Sequence, residues 1–208
     1  MTRTTFFVPD FSKNIPNKVG RNLEVKSKNT LSSRNYGFLP AIAVNGFPSK
    51  KDGVYVYVTK IDDNRDRGLY VGFTDMRTYD STIYGTPGDE ISGTSLNCGS
   101  GNRLPGPVEY LPYASKAKRE VISILIISNK GTKKEVQWIL DGTEGPVQDC
   151  TKCLGNGDEI FPCISFASQG QQVTTIPFDQ VKSRSPKIDQ LMQEFINNKN
   201  RNQSSTIN

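Results

Sequence analysis

Histidine is absent from the 208 residues. That absence removes the Ser-His-Asp and Cys-His nucleophilic arrangements. It also removes imidazole metal ligands and the usual general base near neutral pH. Cysteine is scarce, with four residues, Cys98, Cys150, Cys153 and Cys163. Cys150-Thr-Lys-Cys153 is a CxxC pair, but a four-thiolate zinc site needs a second close pair, and Cys98 and Cys163 stand alone. A redox CxxC opens a helix after a strand; here Leu-Gly-Asn-Gly follows, which reads as a turn. Free thiols are the expectation, two in a loop and Cys163 in a strand. No metal and no cofactor are expected. Long apolar runs are missing too. Val121–Ile127 has the length of a strand and is too short to span a bilayer. Phe6-Phe7-Val8 falls short of the core of a signal peptide. These features predict a chain without a transmembrane segment, placed in the cytoplasm or nucleus.

Carboxylate pairs occur at Asp62-Asp63, Asp89-Glu90 and Asp158-Glu159, each near Gly or Asn, where they read as turn formers rather than as acid–base partners. Without His, a metal cluster or a phosphate loop, the sequence points away from an enzyme. Gly68-Leu-Tyr-Val-Gly72 does not open a helix and is no nucleotide fingerprint. The net charge of +5 permits an acidic protein, nucleic acid or anionic lipid as partner without requiring one. The basic residues are spread in short clusters, at Lys26 and Lys28, Lys50-Lys51, Lys116 to Arg119, Lys130 to Lys134, and Lys182 to Arg184. Each reads as solvated surface, and sequence-distant clusters can still converge.

What is present is abundant Gly (18) and Pro (12) with modest hydrophobic content (35%), the profile of many short strands joined by polar turns. Asn22–Lys26 alternates polar and apolar residues. Pro40–Asn45 is a short apolar run ending at Asn45-Gly46. Val54–Ile61 is β-branched and aromatic apart from Lys60, the strongest strand signal in the chain. Asp62-Asp63-Asn64 reads as its turn and Gly68–Thr74 as its hairpin return. Val121–Ser128 turns at Asn129-Lys130-Gly131 into Glu135–Leu140, with Trp138 in the core, and Asp141-Gly142 is a further turn. Ile160–Phe166 and Gln172–Phe178 read as a last hairpin across Ser168–Gly170. Between Gly68–Thr74 and Val121–Ser128, residues 75–118 carry little periodic structure and read as one long Gly- and Tyr-rich loop, either functional or mobile.

The period changes near the end. Ile188, Leu191, Met192, Phe195 and Ile196 recur at helical spacing, with Ser185 as N-cap and Pro186 in the first turn. This helix is expected to pack on the sandwich; a partner-binding helix is the sharper alternative. The resulting plan is an irregular segment at 1–18, an all-β antiparallel sandwich at 19–182, a helix at 185–197 and a disordered tail at 198–208.

The strand order resembles a Neuralized homology repeat, with a SPRY domain as the related second choice. The resemblance rests on Gly20-Arg-Asn-Leu-Glu-Val25, Ser33-Arg34, Ala41–Asn45 with Pro48, Val54–Ile61 and Gly68-Leu-Tyr-Val-Gly-Phe-Thr74. In the second half it rests on Val136–Gly142, Ile160–Phe166, Gln172–Ile176 and the Gly88-Asp89 that precedes a strand. It covers roughly residues 18–180. It implies a non-catalytic scaffold, an adaptor or regulator that recognises a segment of another protein. Rigid sandwiches bind through their loops, and interfaces favour Tyr and Arg. The candidate partner-binding residues are therefore Arg77, Tyr79, Tyr84, Arg103, Tyr110 and Tyr113, with loop-pinning as the competing role of each Tyr; Arg34 is expected to be structural. Competing readings are a basic surface for nucleic acid or phosphoinositide, a carbohydrate-binding sandwich with Tyr platforms, and an assembly protein joined through a sheet edge or the helix.

Overall fold

The computed structural model describes residues 3–11, 23–63, 68–75, 85–89, 91–106, 108–111, 119–155 and 157–204. Among these, the strands in chain order are β1 (Thr4–Phe7), β2 (Leu23–Ser27), β3 (Thr30–Ser33), β4 (Leu39–Ile42), β5 (Phe47–Pro48), β6 (Gly53–Asp63), β7 (Leu69–Thr74) and β8 (Thr94–Asn97). They continue with β9 (Asn102–Leu104), β10 (Val108–Glu109), β11 (Arg119–Ser128), β12 (Lys133–Leu140), β13 (Thr143–Glu144), β14 (Gln148–Asp149), β15 (Glu159–Phe166) and β16 (Gln172–Ile176). A helix, α1 (Pro186–Ser204), follows.

Two sheets result. The first is ordered β13-β12-β11-β6-β16-β3-β2, with β1 paired to β6 and β14 to β12; the second is ordered β10-β9-β8-β7-β15-β4, with β5 paired to β15. The pairs between these strands are antiparallel apart from β1 with β6. The fold is thus the all-β sandwich with one C-terminal helix that the strand pattern predicted.

Period-two alternation decides what lies between the sheets. Tyr55, Tyr57 and Ile61 of β6 and Val121, Leu125 and Ile127 of β11 enter the main core with Trp138, Leu69, Val71, Phe73 and Phe166. The Tyr57 and Phe73 rings meet edge-on at 5.3 Å, and the buried Tyr57 hydroxyl donates to the Gly72 carbonyl at 2.7 Å, joining one sheet to the other. The alternate residues of the same strands, Val56, Val58, Ile122 and Ile124, form a second core under α1 with Ile188 and Leu191. Both faces of β6 and β11 are therefore covered, which is why these strands read as largely apolar runs instead of alternating ones.

Turn chemistry matches the sequence at two hairpins. Asn129 and Lys130, both near φ 55°, turn β11 into β12, and Asp141-Gly142, at φ 50° and 85°, turns β12 into β13. Two other expected hairpins are corrected. β6 belongs to the first sheet and β7 to the second, so the chain crosses the sandwich after Asp63. β15 and β16 likewise lie in different sheets. Alternation shows which side chains are buried but not which strand supplies the neighbouring edge. β6 takes β11 on one edge and β16, with β1, on the other, leaving no place for β7.

The termini differ from the expected boundaries as well. Thr4–Phe7 is a strand within residues 1–18, which read as irregular apart from the Phe6-Phe7-Val8 cluster that suits a terminal strand; it is held by β6 and by Phe6 packing on Phe178 and Phe195. The helix begins as expected, with the Ser185 hydroxyl accepting from the Ile188 N–H at 3.2 Å. It continues past 197 to Ser204, into the stretch expected to be disordered. Asn198 holds the extension by donating to the Thr4 carbonyl at 3.0 Å.

Candidate partner-binding site

The long segment expected to be a loop is partly ordered, and it builds the site. It contributes β8, β9 and β10 to the edge of the second sheet. Ahead of them, residues 85–89 form a strap across that sheet's outer face. The Gly85 N–H donates to the Phe38 carbonyl at 3.1 Å. The Ser165 hydroxyl of β15 donates to the Gly85 carbonyl at 2.9 Å, and the Ser95 hydroxyl of β8 donates to the Pro87 carbonyl at 2.7 Å. Both serines are fully buried although they point away from the main core, because the strap lies over them.

Where the strap turns at Gly88-Asp89 it leaves a pocket of about 370 Å³, lined by Tyr70, Gly88, Asp89, Asn97, Asn102, Leu104 and Gly106. Tyr70 stands on the outer face of β7 because Leu69 and Val71 take the core side. Phe38, itself partly exposed, meets its ring at 6.0 Å. Gly88 is required here: its φ is 94°, and a Cβ would lie 2.7 Å from the Leu104 backbone. Asn97 spends its side-chain oxygen on the N–H groups of Gly99 and Ser100, at 2.9 and 3.0 Å, which leaves its amide NH2 for a ligand. Among the described residues no side-chain hydrogen bond or ion pair engages Asp89 or the Asn102 amide. The pocket thus presents one aromatic ring, two amides and one carboxylate.

The candidate residues named from sequence fall in two groups. Arg77, Tyr79, Tyr84 and Tyr113 lie outside the described residues. Arg103 and Tyr110 are brought together at the sandwich edge, where they hold the β9–β10 segment onto the first sheet. Arg103 donates to the Gln148 side chain at 3.1 Å and to the Asp149 carbonyl at 3.5 Å. Tyr110 is buried, its hydroxyl donating to the Pro146 carbonyl at 2.6 Å and accepting from the Trp138 N–H at 3.0 Å. Its ring stands edge-on to Trp138 at 5.5 Å, and burial pushes its phenol up to about 12. These contacts match the loop-pinning role. Arg34 pairs with Glu24 at 3.6 Å on the surface. Sequence reasoning passed over Tyr70, Asn97 and Asn102; the available signal was Tyr70 as the polar-tipped residue between two core positions of a strand.

The four thiols are free. Cys98, Cys150 and Cys163 are buried, while Cys153 is partly exposed in the turn that starts at Cys150. Among the described residues no group of three or more Cys, Asp or Glu side chains is placed to hold a metal ion. No described helix is long and apolar enough to cross a membrane.

No family model matches the chain, and no curated protein matches it. Solved structures do. A human SPRY domain superposes with a TM-score of 0.57 at 14% identity, over 74% of this chain and 94% of that one. Stonustoxin superposes at 0.51 and 9% identity, over 82% of this chain and 27% of the toxin chain. The NHR domain of Neuralized from Drosophila melanogaster matches at 11% identity over 78% and 90% of the two chains, with a TM-score of 0.40, too low to argue from. At these identities the likeness concerns the fold alone, and that fold is the SPRY-like β-sandwich.

Proposed function

We propose that this chain is a non-catalytic interaction module, an adaptor or regulator in the cytoplasm or nucleus, which holds a segment of a partner protein in the pocket beside Tyr70. The observation that carries this reading is the cluster of polar groups around the Tyr70 ring, the Asp89 carboxylate, the Asn97 NH2 and the Asn102 amide, which no side-chain hydrogen bond or ion pair among the described residues engages. An amide side chain pairs donor to acceptor with a peptide backbone, an aromatic ring supplies contact area, and a carboxylate selects a donor. All stand on strands or on a strap tied down at Phe38, Ser165 and Ser95, so the site is formed before a ligand arrives. The resemblance noted from the strand order implies the same class of role. Arg77, Tyr79 and Tyr84 precede the strap directly in sequence and are proposed as further contacts, together with Tyr113.

The test is a pull-down from native cells, followed by titration of the recovered partner segment with wild-type protein and with Tyr70→Ala and Asp89→Ala/Asn102→Ala. A protein segment whose affinity falls at least about ten-fold in the variants, which is about 1.4 kcal/mol, supports the proposal. Unchanged affinity in properly folded variants would move the site elsewhere. Recovery of RNA or lipid alone, released by salt, would replace protein recognition with a phosphate-binding role. Binding of glycans by the same residues would assign the pocket to carbohydrate.

A further inference from the structure

The helix that closes the chain carries two stripes. Ile188, Leu191, Met192 and Phe195 face the sandwich. Beside them, Lys187, Gln190, Glu194, Asn197 and Arg201 follow one another at steps of three and four, with Asn198 four residues after Glu194, so they share a single side of the helix. That second stripe forms one wall of a groove of about 730 Å³ that Arg3, Thr4, Val54 and Leu191 also line, and Thr4 is tied to the wall by its bonds to Glu194 and Asn198.

Charge in this groove is one-sided in its availability. Arg3 and Arg201 are exposed, and among the described residues neither forms an ion pair. Among the described residues the Lys187 ammonium donates to the neutral Gln190 side chain, at 3.3 Å. The one carboxylate in the lining, Glu194, is occupied by neutral donors, accepting from the Thr4 hydroxyl at 2.5 Å and from Gln190 at 3.1 Å. Nearby, Glu144 accepts the Lys187 backbone N–H at 2.8 Å, at the helix start, and Asp189 pairs with Arg184 at 3.9 Å. The lysine-rich end of the sandwich differs. There Lys50 meets Gly131 of the 129–132 turn, but Lys50 pairs with Asp158 at 2.7 Å and Lys133 with Glu135 at 2.8 Å. Lys134 is buried and donates to the Gly131 carbonyl. The groove therefore sets three cations against the single Glu194 carboxylate, whereas at the lysine-rich end Lys50 and Lys133 are paired with carboxylates and Lys134 is buried.

We infer that this groove is a second docking site, for an extended acidic segment of a partner protein. Three features favour a peptide over other anions. From Lys187 to Arg201 the wall runs about 21 Å at about 1.5 Å per residue, which matches about six residues of extended chain at about 3.3 Å each. The Asn197 NH2, whose companion oxygen accepts from Gln193 at 3.3 Å, suits a peptide carbonyl. The apolar lining at Val54 and Leu191 accepts an aliphatic side chain between acidic ones. A bilayer requires a projecting surface, whereas this one is concave, and among the described residues no aromatic ring lines it to stack a base. The site is separate from the Tyr70 pocket, which no lining residue shares.

The experiment is fluorescence anisotropy on the full chain. The probes are a labelled Glu-Glu-Leu-Glu-Glu-Glu peptide and a Ser-Ser-Leu-Ser-Ser-Ser control. The expected result is saturable binding of the acidic peptide alone, weakened by added salt. Arg3→Glu/Lys187→Glu/Arg201→Glu should weaken it at least ten-fold, while Tyr70→Ala leaves it unchanged. If the triple variant unfolds, Lys187→Glu and Arg201→Glu are made singly, and each should weaken binding. Equal affinity for both peptides, or acidic-peptide binding that the charge reversals leave intact, overturns the inference. So does capture of phosphatidylserine vesicles or a single-stranded RNA through the same cations without peptide binding.

Discussion

Cys98 and Cys150 show how burial alone sets the chemistry of a residue here. Both thiols are pushed up from the ordinary 9.0 to about 12 because the thiolate would lose its solvation, and burial pushes Cys163 up as well. All three are protonated and unreactive at neutral pH, while Cys153 is partly open to solvent. A thiol reagent under native conditions should therefore modify Cys153 first and all four only in denaturant; fast modification of Cys98 or Cys163 in the native protein would contradict this burial pattern. Linkage adds a stability consequence. In the unfolded chain these thiols ionise near 9, but in the folded protein only near 12, so the contribution is fully present below pH 9 and is lost as pH rises toward 12. The denaturation midpoint should fall across that window, and Cys98→Ala should lessen the fall. The role of Tyr110 follows from the same burial. Composition marked it as a Tyr in a Gly-rich segment, but its bonds to Pro146 and Trp138 belong to residues that are distant in sequence.

At the scale of elements, the strands and the helix were legible because alternation and helical spacing are local properties of the chain. Val54–Ile61, Val121–Ser128 and the Ser185-capped helix appear where the pattern placed them. Pairing was not legible where a turn left two partners open, and β6 with β7 is the case in point. The strap and the three short strands in residues 85–109 were also hidden. Their order comes from hydroxyl-to-carbonyl bonds to β15 and β8 and from glycines that tolerate close approach, neither of which produces a hydrophobic period. Gly101 is the hinge of this region. Its carbonyl accepts from both Tyr110 and Leu111, its φ is 78°, and a Cβ would lie 2.1 Å from the Leu111 carbonyl oxygen. Gly101→Ala should lower stability by about 1–3 kcal/mol in urea unfolding and weaken partner binding at the Tyr70 pocket; a neutral result would show that the β8–β9 turn can relax without disturbing its neighbours.

For the molecule as a whole, the first sheet lies between two cores, one shared with the second sheet and one with α1. A helix added at the end of a sandwich is often dispensable, but here it covers Val56, Val58, Ile122 and Ile124, which would otherwise be an apolar face in water. Helix and sandwich should therefore unfold together. Trp138, the one tryptophan, reports on the inner core by fluorescence, and far-ultraviolet circular dichroism reports on the helix. The two transitions should coincide, and Ile188→Ala, which removes a fully buried side chain, should shift both by about 3 kcal/mol. A circular-dichroism transition that moves while Trp138 does not would make α1 an independent appendage.

The sequence by itself determined the fold class, the capped helix, the turns at Asn129-Lys130 and Asp141-Gly142, and the lack of imidazole chemistry. All of these depend on residue type, or on neighbours within a few positions. Only the tertiary structure decided which strands share a sheet, that Tyr110 and Arg103 fasten a segment, and that Tyr70, Asp89, Asn97 and Asn102 line one pocket. It alone set the second stripe of α1 against Arg3. Those outcomes depend on groups far apart in the chain meeting across buried surfaces, where each hydroxyl and amide takes the partner the packing leaves within reach.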